Sequence, residues 1–340
     1  MNENDGVSIV ICCYNSSKRI TATLEHLQRI TTKGIPWEII LVDNRSDDDT
    51  REKALSTWNT NPVTPLNIVT EHNRGLINAR IKGVQCAAFE IISFIDDDNW
   101  IEPQWVDKVF SIMQNDQSLA ACGGFSEGVF EKSPPEWFSD FSFYYAVGKQ
   151  QNESGYVNPE KGYLWGAGLT IRKKAWNNLF ENGFNNLLKG RTGKSLTAGE
   201  DSEICFALIL QGWKLWYDDS LKLKHFIPSS RLSIQYLMKI YEGFGKAEVI
   251  LSLYIEFISG NSTNKSNWTL QCFAALKKLC VSGLKRIVSS DTNKIKNTIL
   301  WKHDKAYTFE LLLNRKKYVR AKQQIILTNS ARSFDKNTLQ

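Results

Sequence analysis

Four short apolar runs punctuate the first hundred residues: VSIVICC from Val7, EIILV from Glu38, NIVT from Asn67 and IISFI from Ile91. The stretches between them carry apolar residues at helical spacing, as in Ile20, Leu24, Leu27 and Ile30. Short β-branched runs without polar alternation suit strands covered on both faces. Strands alternating with helices at this pace predict a doubly wound, mostly parallel α/β sheet, Rossmann-like in its winding. Ligands of such sheets bind beyond the carboxyl ends of the strands. Those ends carry Tyr14-Asn15, Asp43 and Asp96-Asp97-Asp98, which would line one crevice. Ser16 or Ser17 is placed to cap the first helix.

The triplet after Ile95 is the most chemically pointed stretch. If the extended geometry continues, Asp96 and Asp98 share one face and Asp97 takes the other. Converging carboxylates repel unless a cation lies between them, and hard oxygen donors suit Mg²⁺ or Mn²⁺ shared with a phosphate. The alternative is a solvated acidic turn closing a strand.

Beyond the triplet, a helix through Trp105, Val109 and Met113 leads to a strand at Ala120–Gly124. Residues 126–163 show no period and predict a long, partly ordered loop. Tyr163–Ile171 predicts glycine-interrupted extended chain, followed by a helix from Lys173. Gly199-Glu200-Asp201-Ser202 opens an apolar helix that ends at Gly212. Lys214–Tyr217 and Leu221–Phe226 predict two strand segments, and the chain is helical after Ser230. This organisation divides it into an α/β domain over 1–229 and a helical appendage over 230–340.

Charge follows the same division. Residues 1–229 hold 23 Lys and Arg against 29 Asp and Glu, whereas residues 230–340 hold 19 against 7. The acidic front and the appendage's net +12 suggest different jobs, and the appendage calls for an anionic partner. No segment reaches the roughly 18 uninterrupted apolar residues of a membrane span. The start, MNENDGVSIV, lacks a basic region followed by an apolar one, so no secretory signal is expected. The seven cysteines form no C-x-x-C pair, which favours buried thiols in a reducing cytoplasm over disulfides or zinc. Gly190–Ser195 imitates a phosphate loop but lacks the first glycine and a preceding buried strand.

Taken in order, VSIVICCYN, EIILVDNRSDDDT, NRGLINAR, FIDDDNW, YLWGAGLTIR, GEDSEICFALILQGWKLWYD and LKH resemble the family 2 glycosyltransferases of the GT-A fold over about residues 7–230. The resemblance implies an inverting, metal-dependent hexosyltransferase that takes its sugar from a nucleoside diphosphate donor, with UDP expected. It implies that Tyr14 stacks on the base and Asp43 accepts the pyrimidine imide N–H, with Asn15 beside them. Asn44 replaces the family's usual second acid. Asn73 and Arg80 fall in the element near the nucleotide. Asp98 becomes the direct metal ligand, Asp96 lies between ribose and ion, Asp97 lies with the donor site, and His225 is the further ligand to Mn²⁺ or Mg²⁺. Trp165 and Gly166 approach the sugar. Asp201 is implied as general base and Glu200 as the residue that orients the acceptor or its loop.

A glycan or lipid-linked glycan is the acceptor class expected, in polysaccharide biosynthesis. For the basic appendage the expectations are an anionic membrane surface or a homodimer through the C-terminal helices, with no nucleic acid. The location expected is cytoplasmic, with peripheral attachment to the inner face of the membrane as its extension. A catalytically silent nucleotide-binding or scaffold protein on the same fold is the alternative function.

Overall fold

A computed structural model describes residues 4–160, 162–188, 190, 199–260 and 268–335. The chain divides into two compact units. One comprises residues 1–158, 162–181 and 213–229; the other comprises 159–161, 182–212 and 230–340.

Among the described residues, the first unit is built on a nine-stranded sheet. Its N-terminal part is parallel: β1 (Val7–Cys13) lies between β2 (Trp37–Asp43) and β4 (Ile91–Phe94), and β3 (Leu66–Thr70) pairs outside β2. Helices α1 (Ile20–Leu27), α2 (Thr50–Trp58) and α3 (Leu76–Cys86) connect these strands as the alternation predicts. Val7, Ile9, Ile11 and Cys13 point to one side of the sheet, into a core shared with Ile20, Leu24 and Leu27 of α1. Thus the uninterrupted apolar run of β1 reflects cover on both faces.

The sheet then turns mixed. β8 (Thr170–Arg172) runs antiparallel to both β4 and β6 (Leu119–Phe130). β9 (Lys214–Ile227) pairs parallel to β6 and antiparallel to β5 (Asn99–Ile101) and β7 (Gly155–Tyr156). Helix α4 (Trp105–Asn115) precedes β6, and α5 (Lys173–Glu181) follows β8.

Several local expectations need correction. The two segments expected at 214–217 and 221–226 are one strand, interrupted where the register jumps from Gly124–Asp218 to Phe125–Lys222. At that bulge a β-carbon on Gly124 would collide with the Leu221 carbonyl, so only glycine fits. Residues 126–163 are more ordered than their lack of period suggests. β6 continues through Phe130, and a 3₁₀ segment spans Glu136–Tyr145. Ring packing holds that segment: Phe130 meets Phe138 edge-on at 5.0 Å, and Phe138 meets Tyr145 at 4.8 Å. A 3₁₀ turn with irregular aromatic contacts leaves no 3.6-residue signature to read. Between Tyr163 and Leu169 the chain is not strand; the Leu169 N–H closes a turn onto the Gly166 carbonyl at 3.2 Å. Neither Ser16 nor Ser17 caps α1 with its side chain. The Ser16 carbonyl instead accepts the N–H groups of Arg19 and Ile20 at 2.8 and 3.0 Å.

The second unit is helical. α6 (Glu200–Leu210) packs with α7 (Ile234–Ile258), α9 (Asp291–Leu313) packs against α7 and α8 (Trp268–Val288), and α10 (Arg315–Asp335) reaches α6 and α7. Ser233 caps α7 by accepting the Tyr236 N–H at 3.2 Å. Among the described residues, no helix is long and apolar enough to cross a membrane. All seven cysteines are free thiols, and Cys280 is exposed rather than buried.

Candidate active site

Parallel pairing of β1 with β2 and β4 brings their carboxyl ends to one edge of the sheet. Tyr14 follows β1 with its ring exposed, and the Arg74 guanidinium carbon lies 5.1 Å from the ring centroid. Arg74 also pairs with Asp47 at 3.2 Å. A planar group approaching Tyr14 therefore meets an aromatic face with a cation beside it. Asn15 sits at φ +50, donating its N–H to Ser46 Oγ at 3.0 Å and accepting the Asp47 N–H at 2.8 Å. It ties the β1 turn to the β2 turn. Asp43 Oδ1 accepts the Ser46 N–H at 3.0 Å, which fixes the carboxylate at the strand end.

Asn44, the departure from the family pattern, is buried and fully employed. Its amide donates to the carbonyls of Glu71 and Asn73 at 2.9 and 2.7 Å, and its oxygen accepts the Gly75 N–H at 2.7 Å. A carboxylate could not donate to those two carbonyls. Asn73 takes part through its backbone, and its side chain is exposed. Arg80 is buried, with its guanidinium carbon 5.1 Å from the Phe94 ring centroid.

The acidic triplet departs from simple alternation. β4 ends at Phe94, and the Asn99 N–H donates to the Asp96 carbonyl at 3.0 Å, so the three carboxylates ride a turn. Asp97 folds inward. Arg19 donates to its two oxygens at 3.2 and 2.6 Å, the Ser16 hydroxyl donates to one of them, and Thr23 holds the Asp97 carbonyl at 2.9 Å. Burial raises the Asp97 pKa, against the pull of Arg19 and Ser16, and the Asp98 charge adds to the rise. Asp97 thus ties the triplet to the start of α1.

Asp98 and His225 are brought together. Both are buried, with His225 Nε2 3.7 Å from Asp98 Oδ1. The pairing has a backbone cause: Asn99 lies opposite His225 in the β5–β9 ladder, and the Phe226 N–H donates to the Asp98 carbonyl at 2.9 Å. The Asn99 side-chain amide reaches Asp98 Oδ1 at 3.2 Å. Asp96 is half-buried at the start of the turn. Among the described residues, no group of three or more His, Cys, Asp and Glu could hold a metal ion by itself. A two-donor set of this kind suits a cation whose remaining ligands are water and substrate phosphate.

Trp165 is buried, with its ring edge-on to Phe143 at 5.1 Å and its backbone N–H donated to Gln150 Oε1 at 2.6 Å. Gly166 forms the turn that follows.

Glu200 and Asp201 belong to the second unit, in the first turn of α6. Glu200 is buried, and a β-carbon on Gly190 would collide with its carboxylate, so Gly190 lies directly against it. Asp201 is half-buried. Glu203, a residue that no motif marks, is fully buried one turn on. It accepts the N–H groups of Leu187 and Leu188 at 3.0 and 2.8 Å and the Tyr254 hydroxyl at 3.3 Å, and burial pushes its pKa up to about 7. Its signal was an acid on an otherwise apolar helix face. Residues 191–198, which hold most of the phosphate-loop imitation, lie outside the described residues.

The profile of the Glycosyl transferase family 2 matches residues 8–180, which contain β1 to β4, the Asp triplet and Trp165. The chain belongs to glycosyl transferase family 2. Among curated relatives of this family 2 member is the glucosyl-dolichyl phosphate glucuronosyltransferase of Haloferax volcanii, 22% identical over 244 residues, covering 71% of this chain and 76% of the relative. The fold matches Staphylococcus aureus TarS 1-349 in complex with UDP, with a TM-score of 0.50, 13% identity and coverage of 92% and 91%. It also matches GalNAc-T7 with UDP, GalNAc and Mn²⁺ at a TM-score of 0.50 and 14% identity, covering 75% of this chain and 52% of that one. At those identities the solved structures establish a GT-A fold for the family 2 chain.

Proposed function

We propose that this family 2 glycosyltransferase is an inverting hexosyltransferase that moves a sugar from a nucleoside diphosphate donor, with UDP as the nucleotide, to a hydroxyl acceptor. The observation that carries the reading is the buried Asp98–His225 pair, 3.7 Å apart, in the unit whose strand ends present Tyr14 and Asp43. UDP in the TarS complex supports the donor class. The acceptor class is a lipid-linked or surface-glycan precursor, in keeping with the dolichyl phosphate named for the haloarchaeal relative.

The donor set fits a divalent cation. One carboxylate and one imidazole leave several positions for phosphate and water, and the imidazole favours Mn²⁺ over Mg²⁺. Asp98 and His225 would hold the ion with Asp96 alongside, and the ion would offset charge on the departing diphosphate. Tyr14 offers its ring to the base and Asp43 accepts the imide N–H. Asn73 and Arg80 belong to the loop and helix assigned to the nucleotide, and Trp165-Gly166 to the sugar. In this reading Asp97 belongs to the donor site while tying the triplet to α1, and Glu200 orients the acceptor or its loop. Asp201 is the general base: it takes the proton from the acceptor hydroxyl as that oxygen bonds to the anomeric carbon. The bond from that carbon to the diphosphate breaks in the same displacement, which inverts the configuration.

A thermal-shift panel of nucleotide sugars, with and without Mn²⁺, tests donor and cation together. One UDP-sugar should raise the midpoint in a Mn²⁺-dependent way. Asp98→Asn should remove the Mn²⁺-dependent part, while Asp201→Asn should keep donor binding and lose turnover. Full transfer activity in both variants would overturn these roles.

A further inference from the structure

Helix α8 has its residues sorted the wrong way round for an ordinary surface helix. Its most buried positions are Cys272, Ala275 and Ser282, all small. Its large apolar residues face outward: Leu270 is 63% exposed, Phe273 66%, Leu284 63%, Ile287 78% and Val288 80%. These positions advance by three, eleven, three and one residues, which keeps them along one side of a 3.6-residue helix. A surface helix normally hides such residues and shows polar ones, so a continuous apolar stripe marks a contact made with something else.

The charges on α8 indicate what that is. Trp268–Val288 contains Lys277, Lys278, Lys285 and Arg286 and no acidic residue; Lys278 pairs with Asp304 at 3.2 Å and Arg286 stacks on Trp301, so Lys277 and Lys285 are the cations that accompany the stripe. Lys277 lies within the stripe itself, where its stem can rest among apolar groups while its ammonium reaches a polar layer. Two copies pressed together through this face would oppose their own cations. A bilayer carrying anionic headgroups supplies both an apolar layer and the complementary charge, at the shallow depth that suits a helix lying in the interface. We propose that the outward stripe of α8 docks on an anionic lipid bilayer. Lipid binding is measured without turnover, so this inference stands or falls separately from the transferase reading.

The test is co-sedimentation of the full chain with phosphatidylcholine vesicles, alone or with about one-third phosphatidylglycerol. The chain should pellet with the mixed vesicles and fall to the supernatant in high salt, because the charge attraction is screened. Phe273→Glu combined with Ile287→Glu should weaken binding about tenfold or more, with an unchanged thermal midpoint because both side chains are exposed. Ile287→Ser, a milder variant, should weaken it in the same direction should the double variant fold poorly. Lys277→Glu with Lys285→Glu should abolish the preference for phosphatidylglycerol. Pelleting of the double variant equal to that of the parent would overturn the proposal. So would light scattering showing a dimer that the same substitutions split, since the stripe would then be an interface between copies.

Discussion

Removing the Arg19 side chain tests how the acidic triplet is held. Arg19→Ala takes two charge-assisted hydrogen bonds from Asp97, at 3.2 and 2.6 Å, and leaves a mostly buried carboxylate supported by Ser16. Two unit charges about 4 Å apart at an effective dielectric of about 20 attract by about 4 kcal/mol. Arg19 keeps 33% of its side chain in water, and desolvation of Asp97 offsets more, so a net loss of about 2–3 kcal/mol is expected. Asp97→Asn removes the charge and should cost less than Arg19→Ala, because no ion is left stranded. Urea denaturation of both single variants and the double variant yields the coupling energy, expected at about 1.5 kcal/mol or more. A coupling below about 0.5 kcal/mol would refute the brace, because pairs that matter little are typical of exposed surfaces. The thermal midpoint of Arg19→Ala should fall by about 5–10 °C.

Two further substitutions probe other parts of the frame. Asn44→Asp should destabilise the first unit by about 2 kcal/mol, because two donated hydrogen bonds become oxygen–oxygen repulsions; unchanged urea stability would remove the latch role. His303 on α9 pairs with Glu248 at 2.9 Å and Asp304 at 3.3 Å, which raises its pKa to about 9 despite burial and the opposing Lys278 charge. Its contribution is therefore fully present below about pH 6.5 and lost as pH rises through 9, by at most about 3 kcal/mol. The parent should lose stability between those values relative to His303→Gln, and parallel pH profiles for the two proteins would contradict this.

The sequence was most informative where local pattern and tertiary role coincide. β1 and β2 are continuous apolar runs because both faces are covered, and the helices between them show their buried stripes. Asp98 and His225 could be named as partners from motif order, yet their approach depends on the β5–β9 register, which composition does not encode. The bonds from Arg19 and Ser16 to Asp97 were not legible, because Asp97 lies three residues past the end of β4, in a turn closed by Asn99 where strand alternation no longer applies. Asn44 stood out only as a missing acid; its three hydrogen bonds involve loops nearly thirty residues away. The aromatic 3₁₀ segment was illegible because its contacts follow ring shape rather than a period. Nor did spacing reveal that α6 clusters with the C-terminal helices, since that depends on its packing against α7, where Tyr254 donates its hydroxyl to Glu203.

The jump in pairing between Gly124 and Phe125 has a consequence for chemistry some distance along β9. It sets the phase of everything downstream on that strand, so the bulged residues 219–221 act as a vernier for position 225. Deleting one residue there would slide Phe226 opposite Asn99 and carry the imidazole to the other side of the sheet. The length of an unremarkable kink thus decides which side chain Asp98 faces, although no atom of the kink need touch a substrate.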